Sequence, residues 1–219
     1  MKTRFDAVIF DSDGTLVDSE RLGNRVLVDY VGELGLPLSL EEALIQFRGG
    51  KMADTLLYIE QRLGSRLPDD FIVELRARMA SVFYDRLQPM PGVESVLQRL
   101  SLPFCVASSG PREKIELSLR ATGLFPYFQG RIFSAYELGS WKPEPDLFLH
   151  AAQILGVVPE RCAVVEDSIK GVKAGIAAGM TVFGYAHPEN NARLEGLGAR
   201  LFAHMDELLP LLQEEYGDR

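Results

Sequence analysis

Cysteine is scarce. Cys105 and Cys162 are the only two in 219 residues, both lie in or beside apolar runs, and they do not form a Cys-x-x-Cys pair. A disulfide framework and a thiol-redox motif are thereby excluded, and two buried free thiols are expected. Long apolar runs are absent too: none approaches the ~20 residues that a membrane helix requires. Basic residues are in deficit, 23 Lys and Arg against 31 Asp and Glu, for a formal net charge of -8. This excludes the basic stripe of a general nucleic-acid binder. It does not exclude a small anionic substrate, because a divalent cation and a lysine can make one site locally positive in an acidic protein. Internal repeats and low-complexity segments are also missing. Met1-Lys2-Thr3-Arg4 leads straight into patterned apolar residues, without the apolar region and cleavage site of a secretory leader. The expectation is a cytoplasmic protein, a monomer or weak homo-oligomer, with no nucleic-acid or membrane partner.

What is present is an alternation. Asp6-Ala-Val-Ile-Phe10 is short, apolar and β-rich, and it runs into the polar turn Asp11-Ser-Asp-Gly-Thr15. Pro103-Phe-Cys-Val-Ala107, Arg131-Ile-Phe-Ser134, Cys162-Ala-Val-Val165 and Thr181-Val-Phe-Gly-Tyr185 read the same way. Helical patterns separate them, among them 112–122, 146–155 and 168–178. Strands alternating with helices of this length predict βαβ units, hence a parallel sheet with helices on both faces. The stretch from about Ser19 to about Arg86 breaks the rule. It shows only helical patterning, including a capping box at Ser39-x-x-Glu42, and predicts an all-helical insert. Its hinges are expected near 17–19 and 87–91, where Pro89 and Pro91 stiffen the return.

In an open parallel sheet, ligands bind outside the carboxyl ends of the strands. The polar clusters fall at those ends: Asp11 and Asp13, Ser108 and Ser109, Glu166 and Asp167, with Lys142 after a fourth strand. These group types suit phosphoryl transfer. Carboxylates are hard oxygen ligands for Mg²⁺, and four of them clustered without a cation repel one another. Lys142 adds a fixed positive charge, and the Ser108 hydroxyl can donate to a phosphate oxygen. The amides of Ser109 and Gly110, with those of the 11–14 turn, can form an anion-binding nest. Competing motifs fail. A calcium loop needs its glycine sixth and a preceding helix, whereas Gly14 is fourth and follows a strand. Gly49-Gly-Lys51 lacks the earlier glycine and the Ser or Thr of a P-loop. The three histidines offer no site; His150 reads as core, and Trp141 serves packing or the pocket equally well.

Four motifs in order resemble the haloacid dehalogenase superfamily: Asp11-x-Asp13-Gly14-Thr15-Leu16-Val17-Asp18-Ser19, then Ser108 after a strand, then Lys142-Pro-Glu-Pro-Asp146, then Glu166-Asp167-Ser168-x-x-Gly171 with Ala178-Gly179-Met180. The helical insert is similar to the small cap of the β-phosphoglucomutase-like branch. The resemblance implies an α/β fold: a Rossmann-like doubly wound parallel core over 1–17 and 88–219, and an all-α cap over 18–87. It implies that Asp11 is a nucleophile forming an aspartyl-phosphate and Asp13 a general acid and base. It further implies Mg²⁺ held by Asp11, the Asp13 carbonyl and Asp167 with Glu166 assisting through water, and a phosphoryl group held by Ser108 and Lys142.

Within the family, Asp13 argues against dehalogenation and phosphonate cleavage, which dispense with that aspartate. A mutase histidine is expected near position 23, and Gly23 stands there; Met52 stands where a mutase arginine is expected. Hydrolysis of a sugar phosphate or sugar-acid phosphate is therefore the expectation, with a phosphomutase as the alternative and a non-catalytic sensor behind it. Phe47-Arg-Gly-Gly-Lys51 and Trp141-Lys-Pro143 resemble bacterial phosphatases acting on 6-phosphogluconate. Arg48, Gly49 and Lys51 are the expected substrate-binding residues of the cap.

Overall fold

The computed structural model describes residues 4–47, 50–186 and 191–213. Among the described residues, the first element is β1 (Ala7–Phe10), followed by four helices with no strand between them: α1 (Glu20–Glu33), α2 (Leu40–Phe47), α3 (Met52–Leu63) and α4 (Phe71–Arg86). Alternation then sets in with α5 (Val93–Arg99), β2 (Phe104–Ser108), α6 (Arg112–Ala121), the one-turn α7 (Phe125–Phe128) and β3 (Ile132–Ser134). It continues through the one-turn α8 (Ala135–Leu138), α9 (Asp146–Leu155), β4 (Cys162–Glu166), α10 (Ile169–Ala177) and β5 (Thr181–Tyr185). The chain closes with α11 (Asn191–Gly196), β6 (Arg200–Phe202) and α12 (Leu208–Gln213).

The six strands form one all-parallel sheet in the order β3-β2-β1-β4-β5-β6. This is the doubly wound Rossmann-like order, and its direction of winding reverses at β1 and β4. All residues of β1, β2 and β4 are buried. That is why these strands read as unbroken apolar runs rather than alternating ones. Successive side chains still point to opposite faces. Val8 and Phe10 join a core with α5, α6 and α12, whereas Ala7 and Ile9 join a second core with α9 and α10. Both cysteine thiols are free and buried, in the second core. Burial pushes the Cys162 thiol up to about 11 and the Cys105 thiol higher still, as apolar surroundings disfavour a thiolate.

The four early helices surround a third core of their own, where the rings of Tyr30 and Phe71 stack with centroids 4.7 Å apart. Ser39 caps α2, its hydroxyl accepting from the Glu42 amide at 3.1 Å. The segments entering and leaving this helical stretch run side by side. Val17 pairs antiparallel with Pro89, the Asp18 amide donates to the Gln88 carbonyl at 3.0 Å, and the Met90 amide donates to the Leu16 carbonyl at 2.9 Å.

Five strands follow the sequence pattern; β6 does not. It has three residues, one of them Arg200, and lies at the sheet edge. Such a strand is too short to show a period of two. Among the described residues, no helix is long and apolar enough to cross a membrane.

Candidate active site

The site forms where β1 and β4 end side by side, at the reversal of winding. The Asp11 amide donates to the Val165 carbonyl at 2.9 Å, which fixes the start of the turn against β4. The amides of Leu16 and Val17 fold back onto the Ser12 carbonyl at 2.9 and 3.1 Å. Gly14 is required here for two reasons. Its φ is +79°, and a Cβ on it would lie 2.4 Å from Asp167 Oδ2.

Lys142 is the electrostatic hub. It is 4% exposed, and its ammonium donates to Asp11 Oδ1 at 2.5 Å and to Glu166 Oε1 at 2.6 Å. Burial disfavours its charge, but Asp11 and Glu166 outweigh that and hold it protonated. Glu166 is fully buried, and its Oε2 accepts from the Ser168 amide and hydroxyl, each at 3.0 Å. Ser168 in turn caps α10 by accepting from the Gly171 amide at 3.0 Å. A Cβ on Gly171 would fall 1.8 Å from the Glu166 carboxyl carbon. Gly171 therefore makes room for Glu166, while Gly175 serves packing, its missing Cβ facing Val182 on β5 at 2.6 Å.

Asp11 is 7% exposed. Burial, reinforced by Glu166 and opposed by Lys142, pushes its carboxyl up to about 7. Asp13 behaves otherwise. Its Oδ1 accepts from the Ser19 hydroxyl at 2.5 Å and its Oδ2 from Lys114 at 2.7 Å. Burial alone would raise Asp13, but Lys114 and Ser19 overcome it and hold the carboxyl below its ordinary range. The two aspartates of one turn thus meet opposite environments.

Asp11, Glu166 and Asp167 each offer a carboxylate oxygen, all within 4.8 Å of one another. With Asp13 the site holds four carboxylates and, among the described residues, two ion-paired ammoniums, Lys114 and Lys142. A hard divalent cation fits both the oxygen donor set and the charge deficit.

A cavity of about 430 Å³ opens over these groups. Asp11, Asp13, Ser108, Ser109, Gly110, Lys142, Glu166 and Asp167 line it from the sheet side. The Ser108 hydroxyl accepts from the Gly110 amide at 3.1 Å. On the other side α1 presents Glu20, Gly23, Asn24 and Leu27, and α4 presents Arg76, Met79, Ala80 and Phe83. Both sets are spaced i, i+3, i+4, i+7, one face of a helix each.

The expected residues of the 48–51 loop are distributed differently. Arg48 and Gly49 lie outside the described residues. Lys51 does not line the cavity, although Gly50 and Met52 on either side of it do. Its ammonium sits 4.5 Å from the centre of the Trp141 ring. Trp141 itself packs edge-on against Tyr136 and into the second core, outside the cavity. His150 packs against Phe133. The sequence reading does not find Ser19, Lys114 or Arg76. Ser19 ends the first motif, so its signal was present. Lys114 and Arg76 have no local signature and are selected by helix orientation alone.

Residues 5–179 match the family described as haloacid dehalogenase-like hydrolase. The chain belongs to that family, and within it is a phosphatase. It is 34% identical over 207 residues to the 6-phosphogluconate phosphatase of Escherichia coli K12, covering 94% of each chain. It is 29% identical over 215 residues to a phosphorylated carbohydrates phosphatase of Thermotoga maritima, covering 95% of this chain and 99% of that one. Among solved structures, a family hydrolase from Deinococcus radiodurans, crystallised with phosphate and sodium, superposes with a TM-score of 0.76. It is 35% identical, over 95% of this chain and 94% of that one.

Proposed function

We propose that this phosphatase is Mg²⁺-dependent and hydrolyses a small sugar or sugar-acid phosphate, with 6-phosphogluconate the first candidate, through an aspartyl-phosphate on Asp11. The observation that carries the reading is the opposed pair of aspartates. Asp11 is buried, fixed by Lys142 and part of a three-carboxylate set, while Asp13 is held apart by Lys114 and Ser19. Pairs of titratable groups pushed apart by their surroundings mark divided nucleophile and acid–base roles.

In this reading one Asp11 carboxylate oxygen attacks phosphorus, and the ester P–O bond breaks as Asp13 gives its proton to the departing sugar oxygen. The incoming phosphate places negative charge beside Asp13 and so raises its hold on that proton. In the second half Asp13 takes a proton from water, the water oxygen bonds to phosphorus, and the bond to Asp11 breaks, releasing phosphate. Ser108 and Lys142 hold the phosphoryl oxygens. Asp11, Asp167 and the Asp13 carbonyl would hold Mg²⁺, with Glu166 assisting through water, and the ion would supply the positive charge that lets an anionic nucleophile approach phosphate. The helices of 18–87 act as the cap that closes over a compact substrate and excludes water.

A mutase reading has less support. Gly23 is the α1 residue facing the cavity where the resemblance expects a histidine, and among the described residues no histidine lines it.

Phosphate release across a panel of 6-phosphogluconate, hexose and pentose phosphates, hexitol phosphates, phosphoglycolate and a nucleotide tests the proposal. Release from the sugar or sugar-acid compounds in magnesium, abolished by EDTA and restored by added Mg²⁺, is expected. Equal release with and without EDTA, or activity on the nucleotide alone, contradicts it.

A further inference from the structure

Three cations line the cavity among the described residues: Lys114, Lys142 and Arg76. Two of them are engaged. Lys114 pairs with Asp13 at 2.7 Å, and Lys142 with Asp11 and Glu166 at 2.5 and 2.6 Å. Arg76 has no carboxylate partner among the described residues. Its guanidinium lies 5.9 Å from the centre of the Tyr136 ring, which steadies a cation without neutralising it. It is exposed, and so open to a ligand. Its α4 neighbours on the cavity face, Met79, Ala80 and Phe83, are apolar, so α4 itself offers it no acidic partner there.

Position adds to this. Phe83, on the same face of α4, belongs to the sheet core that includes Leu16 and Val17 of the first-motif turn. Arg76 is seven residues before it, about 10 Å further along the helix axis. Substrate phosphate belongs at Asp11, Ser108 and Lys142, so Arg76 stands away from the reacting end.

We infer that Arg76 is a specificity-determining residue that pairs with a second anionic group, carboxylate or phosphate, at the end of the substrate away from the phosphoryl group being transferred. The inference rests on the phosphatase reading and deepens it. A guanidinium presents a fork of donors matched to the paired oxygens of either anion. It also moves the discriminating charge from Lys51, which lies on Trp141, to α4.

The test compares three substrates of one chain length with the Mg²⁺-loaded enzyme: 6-phosphogluconate, sorbitol 1,6-bisphosphate and sorbitol 6-phosphate. They carry a carboxylate, a second phosphate and a neutral hydroxymethyl at the far end. Wild type is expected to favour one or both of the doubly anionic compounds, and which one identifies the anion. Arg76→Ala should lower kcat/KM on the favoured compound by about tenfold to a hundredfold, the loss of charge-assisted hydrogen bonds. The loss should appear mainly in KM, and be at least about tenfold larger than on sorbitol 6-phosphate. Arg76→Lys, which keeps the charge but not the fork, should recover part of it. An equal loss on all three compounds, no loss on any, a loss confined to kcat, or no wild-type preference for a second anion overturns the inference while leaving the phosphatase reading intact. Absence of wild-type phosphate release from all three and from the wider panel overturns both.

Discussion

Asp11→Asn should abolish phosphate release, lowering kcat by about four orders of magnitude or more, the scale on which loss of a covalent nucleophile is felt elsewhere. Asparagine has nearly the same shape, so the cavity and the sheet end should persist, and the loss is one of chemistry. Stability separates the two effects. Asp11 is buried, and its carboxyl is pushed up to about 7, chiefly by burial. A group whose folded pKa is raised contributes stability below its unfolded pKa and loses it as pH rises through the folded value. In EDTA, the wild-type protein should therefore lose stability between about pH 4 and pH 7 from this group, whereas Asp11→Asn should not. At pH 8 the inactive variant should melt at a higher temperature than wild type, and the gap should narrow on acidification. A variant that turns over at near wild-type rate would sink the mechanism. One that is inactive because it has unfolded would leave no such melt.

The second large effect lies at Lys142. Its ammonium is the buried, shared partner of Asp11 and Glu166; the side chains of Lys142, Asp11 and Glu166 are 2%, 10% and 0% exposed. Lys142→Met keeps much of the volume and removes the charge. Two buried carboxylates then face one another, and breaking a buried pair in this way costs about 3–5 kcal/mol. For a chain of this size that corresponds to a fall in Tm on the order of 10 °C. Turnover should also be lost, because Asp11 loses its fixed donor and the phosphoryl group its cation. Adding Glu166→Gln to Lys142→Met should restore part of the stability by removing one stranded charge, with no return of activity. Thermal melts of the single and double variants decide this. If the double variant is no more stable than the single, charge stranding does not explain the loss.

These two effects also mark what the sequence reveals and what it does not. Asp11, Asp13, Ser108, Glu166 and Asp167 were legible because each ends or follows an apolar strand run, and parallel strands deliver their carboxyl ends to one edge. Lys142 was legible through its Pro-flanked context, but its double duty between Asp11 and Glu166 depends on the distance between two loops. The cavity-facing residues of α1 and α4 repeat at helical spacing, so the faces exist in the sequence. Which face turns to the sheet is set by packing of the third core around Tyr30 and Phe71, and no local pattern encodes that. Lys114 is hidden for the same reason, one lysine in a charged helix until α6 is docked beside the Asp11–Val17 turn. Lys51 shows the converse. A basic residue beside two glycines reads as a ligand for anions, yet the nearby Trp141 ring gives its ammonium a resting place outside the cavity.

The proposed covalent bond between phosphorus and Asp11 can be trapped. Asp13→Asn removes the group that takes the proton from water, so an intermediate that forms, more slowly for want of the same group as acid, should persist. The measurement is a millisecond acid quench of that variant with 6-phosphogluconate and Mg²⁺, followed by borohydride reduction and peptide mass spectrometry. An acyl phosphate on Asp11 is reduced to homoserine, so homoserine is expected at position 11, present with substrate and absent without it. Turnover by the wild-type enzyme with an unmodified Asp11 in every quenched sample, or with phosphate found on another residue, would contradict it.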